Sequence, residues 1–305
     1  MDEQRTRERT VATAQKTTES LGLIFSRLSS LSLPYQTARR GVRETLTGKG
    51  TRDVSTPLAA LRQSTHLITE KLLTQALTLG LSSGYRQASA WSPSSPLLRS
   101  SLIPGTRGVS PALLGLSIGA SHQAWMAIVE KQILAVQALV ATGASVDEIL
   151  GDEGRQGVLR ESETATEGSR WITDLTSAAV IAFLLWLLSK DWSIPVYGTQ
   201  QPTWDHQVVA TIDERTTDCC LRAHGQVVPL TKDFTLTGYP RYADHLPHPP
   251  FHWYCRTSEV MLPHHLANDQ VTQAMISASR AELAARPSRV EIHPSSATSR
   301  RAPGH

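Results

Sequence analysis

Trp204 to Gly225 reads WDHQVVATIDERTTDCCLRAHG, and Gly238 to Arg256 reads GYPRYADHLPHPPFHWYCR. These two stretches hold all three cysteines of the chain, Cys219, Cys220 and Cys255, and five of its eleven histidines. Trp204, Val208, Val209 and Ile212 suit a short strand, and proline and glycine then become frequent, so the region reads as a small α+β module. A unit of about 50 residues with few large apolar side chains has a small core and benefits from a staple. Two staples stay open. In one, Cys220, His224, His252 and Cys255 hold a tetrahedral Zn²⁺ through Cys-x3-His and His-x2-Cys pairs. In the other, Cys220 and Cys255 are simply near each other, as buried thiols or as a disulfide. Both require the two cysteines to be close in space. Asp213 and Arg215 are expected to form a charge-assisted pair or to bond the turn backbone.

The order of residues carries a likeness. Trp204 leads to Ala210-Thr211-x-Asp213-x-Arg215-Thr216, then to Cys220 and Gly225, and the second stretch ends Pro249-Pro250-x-His252-x-x-Cys255-Arg256. This resembles the signature segment of the phage Mu F-like, SPP1-type head morphogenesis family, over about a sixth of the 305 residues. The resemblance implies a minor virion protein without enzymatic activity, made in the host cytoplasm and incorporated into the head in low copy. Portal protein or major capsid protein is the implied partner, with packaged DNA as a candidate further contact. It also implies structural duty for Asp213, Arg215, Thr216, Cys220, Gly225, Pro250, His252, Cys255 and Arg256. The chain departs from the pattern in three ways: Cys219 is an extra thiol, His224 stands where the family asks for no histidine, and the helix before the module is unusually apolar.

Upstream of the module the sequence is mainly α. Thr56-Pro57 opens a helix whose stripe of Leu58, Leu61, Ile68, Leu72 and Leu79 runs to about Leu81. Residues 88–116, rich in serine, proline and glycine, read as a connector. A third helix spans Ser121 to Thr142, with Trp125, Ile128, Val129, Ile133, Val136 and Val140 on its apolar face and Gly143 as its stop. Residues 4–32 permit a helix but offer only Val11, Leu21, Ile24 and Leu28, the profile of an arm that orders on a partner. The expected division is a basic N-terminal arm (1–55), a helical region (56–195), the Cys/His module (196–262), and a C-terminal helix with a mobile basic tail (263–305).

Composition narrows the function classes. With 40% apolar and 19% charged residues the chain is an ordinary globular mixture, and a net charge of +3 does not by itself call for nucleic acid. Three cysteines in one region are not a secreted disulfide framework, and MDEQRTRERT at the start has no apolar h-region. The run Ala178 to Leu188, AAVIAFLLWLL, is apolar all round but short of the roughly 20 residues a bilayer span needs. It is expected to be buried by its own chain, against the Ser121–Thr142 helix, or by another subunit, and no stable membrane insertion is expected. Two other classes remain: a metal-dependent hydrolase, nuclease or toxin-like enzyme built on the Cys/His module, and a membrane-active ejection protein resting on the apolar run alone.

Overall fold

The computed structural model describes residues 3–48, 50, 52–91, 118–151, 157–189, 204–235, 245–246 and 248–286, and of residues 185–189 and 245 the backbone alone. Among these residues six α-helices come first: α1 (Glu3–Ser26), α2 (Ser32–Thr47), α3 (Ser55–Trp91), α4 (Ile118–Ala141), α5 (Val146–Leu150) and α6 (Glu161–Ser189). The second half brings β1 (Trp204–Ala210), α7 (Asp218–Ala223), β2 (Val227–Pro229), β3 (Phe234–Thr235), β4 (His245–Leu246), β5 (Thr257–Pro263) and α8 (Gln270–Ala285). A mainly α N-terminal region thus carries a small α+β module.

The helix α3 is the hub, packing against α1, α2, α4 and α6. It starts where the hydroxyl and proline signals place it, but it runs ten residues past the expected end, through Trp91. Residues 92–116 of the expected connector, and the tail after Arg286, lie outside the described residues. The α4 stop matches its signal. Gly143 takes a φ of +79°, and Gly143 and Ala144 return their N–H groups to Val140 and Leu139, closing the helix end. Ser145 and Glu148 then cap α5 reciprocally.

Part of the apolar run of α6 is covered by its own chain. Val180 and Phe183 are fully enclosed and Leu184 is 6% exposed. Its main neighbour is α3, more than α4, because two glycines let the backbones approach. A Cβ on Gly80 would stand 2.3 Å from the Thr176 carbonyl oxygen, and one on Gly84 would stand 3.0 Å from Phe183 Cβ. A third glycine serves α4: a Cβ on Gly168 would stand 1.9 Å from Trp125 Cζ2, and Trp125 donates its indole N–H to Thr164 O at 2.8 Å. Among the described residues α4 alone is long and apolar enough to cross a membrane, with 33% of its most apolar window buried.

The expected N-terminal arm is a correction. Helix α1 lies against α3, β1 and β5. Its inner face is half polar: Thr6, Thr10, Thr17 and Thr18 are buried beside Val11, Ala14, Leu21 and Ile24. Thr17 donates to Ser83 at 2.8 Å, and Thr211 to Thr18 at 2.7 Å. Hydroxyl pairing replaces apolar contact there, which is why hydrophobic periodicity underrates the face. Arg7, 0% exposed, donates to Gln207 Oε1 and Thr272 Oγ1 and meets Asp269 at 3.2 Å.

The sheet is antiparallel in the order β2-β1-β5, with Val208 opposite Glu259 and Ala210 opposite Thr257. Strand period sorts its faces. Val208 and Ala210 join Cys219, Cys220, Phe234, Phe251 and Cys255, while Val209 and Val260 join Val11 and Ala14 of α1 and Met275 of α8. The module is therefore roofed on one side by the first helix of the chain, and the boundary expected near residue 196 separates elements that share a core.

Gly80→Val should cost about 1–3 kcal/mol or more, since a helix backbone has no flexible atom to move aside. Gly50→Ala, where a Cβ meets nothing within 4 Å, should be near neutral. Urea unfolding of the two variants would decide: equal midpoints would mean that α3 and α6 do not pack through Gly80.

Candidate functional site

The turn after β1 and the turn before β5 face each other, and their side chains interlock. Thr217 is the N-cap of α7, yet its hydroxyl does not cap the helix. It lies 2.7 Å from His252 Nε2 and 3.2 Å from Cys219 Sγ. Cys220, one residue further on, points inward: its sulfur is 2.9 Å from His252 Nε2 and 3.7 Å from Cys255 Sγ, and accepts from Thr257 Oγ1 at 3.2 Å. The Phe251 N–H donates to Cys255 Sγ at 3.5 Å. Ligand atoms of Cys219, Cys220 and His252 all lie within 4.8 Å of one another. All three thiols are free and buried.

These groups set one another's charge. A hydrogen bond with Cys220 draws Cys219 down to about 6, helped by Thr217 and His252 against the effect of burial. Burial pushes the enclosed Cys220 thiol well up, and the neighbouring sulfurs push the same way. Cys255 is also pushed up by burial, but its bond with Cys220 and the positive His252 outweigh this and hold it low. Burial pulls His252 down, while Cys255 and Cys219 together raise it to about 9. The cluster thus favours thiolate facing imidazolium.

A second set locks the same two turns. Arg256 grips Asp213 with both guanidinium nitrogens, at 2.8 and 2.5 Å. Thr216 bonds Thr211 O and Asp213 Oδ1, and the Arg215 N–H donates to Asp213 Oδ1 at 3.0 Å. Arg286 adds bonds to Thr216 O, Asp213 O and Asp218. The Arg256 guanidinium is the first cause holding the Asp213 carboxyl at about 2, with Thr216 and the Arg215 amide assisting against burial.

The structure brings together Asp213, Thr216, Cys220, His252, Cys255 and Arg256, and it changes two pairings. Asp213 takes Arg256 rather than Arg215, whose side chain is exposed and which contributes only its backbone N–H. His224 is not in the Cys/His cluster: its Nδ1 accepts the Ala210 N–H at 2.9 Å, and burial takes its pKa down to about 4. Cys219 stands in its stead. The doubled Cys219-Cys220 was the one sign of this, since adjacent residues at a helix start turn toward neighbouring directions. Gly225 is required twice over: its φ is +83°, and a Cβ would stand 2.8 Å from Ile276 Cγ1. The Pro249-Pro250 bond is cis, and Phe251 beside it packs edge-on against Phe234. Trp253 and Tyr254, 54% and 43% exposed, form the outer lip, Tyr254 resting edge-on against Phe25 of α1. No family model, curated protein or solved structure matches the chain.

Asp213→Asn should lower stability by about 1 kcal/mol near neutral pH, a figure kept small because the carboxylate is 34% exposed. The folded-state pKa is depressed, so the wild-type advantage is complete above the ordinary carboxylate value and fades as pH falls from about 4 toward about 2. Denaturant unfolding of both proteins along that pH series checks it. A gap that stays constant with pH would assign the effect to something other than the ion pair.

Proposed function

We propose that the chain is a minor phage head protein, made in the host cytoplasm and built in low copy into the head next to portal or inner capsid. One observation carries the reading. The two halves of the Mu F-like signature, separated by 35 residues between Cys220 and Cys255 and 43 between Asp213 and Arg256, are bonded directly to each other. Signature residues used in this way are architectural, as expected of a module whose task is to keep a shape within an assembly. A zinc ion held by the cluster fits this reading as a staple for a small core.

Enzymatic chemistry is the second reading, and the 2.9 Å approach of Cys220 to His252 speaks for it. Burial speaks against it. The cysteines are 5%, 1% and 0% exposed in chain order, whereas a nucleophilic thiolate needs a face open to its substrate. A membrane-active role has less support, because Val180, Phe183 and Leu184 of the apolar run are already covered by the chain itself.

Quantitative mass spectrometry of purified virions and procapsids tests the assignment. The chain should be present in far fewer copies than the major shell protein. Its absence from both particles would overturn the head-protein reading.

A further inference from the structure

We infer that Cys219, Cys220, His252 and Cys255 form a four-donor structural zinc site, with His224 outside it. The geometry comes from two short pieces of chain: the first turn of α7 supplies Cys219 and Cys220, and the turn before β5 supplies His252 and Cys255. The ligand atoms of Cys219, Cys220 and His252 lie within 4.8 Å of one another. The fourth, Cys255 Sγ, is 3.7 Å from Cys220 Sγ. Two sulfurs bound to one zinc at about 2.3 Å in a tetrahedron stand about 3.8 Å apart, whereas a disulfide needs about 2.05 Å. Three sulfurs also cannot all pair as disulfides within one chain.

The imidazole is aimed for the task. His252 Nδ1 faces Trp253 O, a carbonyl that only an N–H can satisfy, so Nδ1 carries the proton and Nε2 points into the cluster. A backbone carbonyl on the remote nitrogen is the usual outer contact of a metal-binding histidine. The sulfurs have outer contacts too: Thr257 Oγ1 to Cys220, Thr217 Oγ1 to Cys219, and the Phe251 amide to Cys255. Each supplies a dipole suited to a thiolate. Three sulfurs and one imidazole, with no carboxylate among them, select zinc over magnesium or calcium. Four protein donors leave no open position, so the site is a staple and not a Lewis-acid centre.

The staple has a defined mechanical reach. Between His252 and Thr257 the chain also bonds α6, through Ser169 and Thr173, and touches α1 at Phe25. Fixing this turn to α7 therefore fixes the module to the helical bundle. The inference rests on side-chain geometry and holds whether or not the protein belongs to a virion.

Elemental analysis of the purified full chain should give about one zinc per molecule. Cys219→Ser and Cys255→Ser should each lose most of it, and His224→Gln should retain it. Because losing a thiol can also unfold the module, cobalt replacement in the unaltered chain gives a second readout: intense visible bands of tetrahedral, sulfur-bound Co²⁺ are expected. The absence of both stoichiometric zinc and that spectrum would overturn the site. Zinc kept by a folded Cys219→Ser but lost by a folded His224→Gln would overturn this donor set in favour of the one read from spacing alone. Absence of the chain from particles would leave the inference intact, so the two proposals fail separately.

Discussion

Eight residues, Tyr254 to Met261, hold the two halves of this molecule together. The Tyr254 N–H donates to Ser169 of α6, and the Cys255 carbonyl accepts from Thr173 of the same helix. Arg256 grips Asp213 and Thr257 donates to Cys220. From α3, Gln87 and Trp91 donate to the carbonyls of Glu259 and Met261. Among the described residues strand β5 lies at the edge of its sheet, and those carbonyls have no strand partner there. Side chains of a helix satisfy them instead, which pins the sheet to the bundle and closes an edge that would otherwise invite pairing with another chain. One segment thus carries a strand, half of the Cys/His cluster and the contact with two helices.

Much of this was legible in the sequence where a single residue type leaves few options. Gly143 could only be a helix stop, and the Thr56-Pro57 pair marked the start of α3 to within a residue. The paired motifs predicted that Cys220, His252 and Cys255 would meet, because a small module needs some staple. What spacing could not supply was which neighbours each group would choose. Arg215 is nearer to Asp213 in sequence, but Arg256 reaches it from the facing turn with two hydrogen bonds, and a bidentate grip outcompetes a local contact. His224 fits zinc-finger spacing, yet it closes α7 and its ring is consumed by the Ala210 amide. Spacing rules assume that a histidine is free to choose a metal.

The N-terminal helix was hidden for a different reason. Hydrophobic periodicity looks for leucine and valine, and the inner face of α1 mixes four threonines and an arginine with its four apolar residues. Such a face can be buried only if its hydroxyls find partners: Thr10 turns back to Arg7 O in its own helix, whereas Thr17 and Thr18 also reach Ser83 and Thr211, 66 and 193 residues away. No local pattern encodes that. The same holds for the small residues of α3: Gly80 and Gly84 weaken an isolated helix by about 1 kcal/mol each, and their value appears only when α6 lies against them.

Buried charge is the remaining clue to how this fold selects one arrangement. Arg7 reaches Asp269, and His206 meets Glu259 at 2.7 Å with both side chains enclosed. Burial pulls His206 down, but the hydrogen bond and charge of Glu259 prevail and raise it, favouring the imidazolium. That sign means the pair's contribution is full below the ordinary histidine value and is lost as pH rises through the raised one. Neither pair is a cheap source of stability, since two desolvated ions of good geometry often do no better than an apolar pair of the same volume. What they do is penalise errors. A slip of β5 by one residue against β1 would turn Glu259 to the opposite face and leave His206 without its carboxylate partner. A displaced α1 would strand Arg7 in the same way. The apolar contacts make the module and bundle adhere, and the buried polar groups decide the register in which they do so.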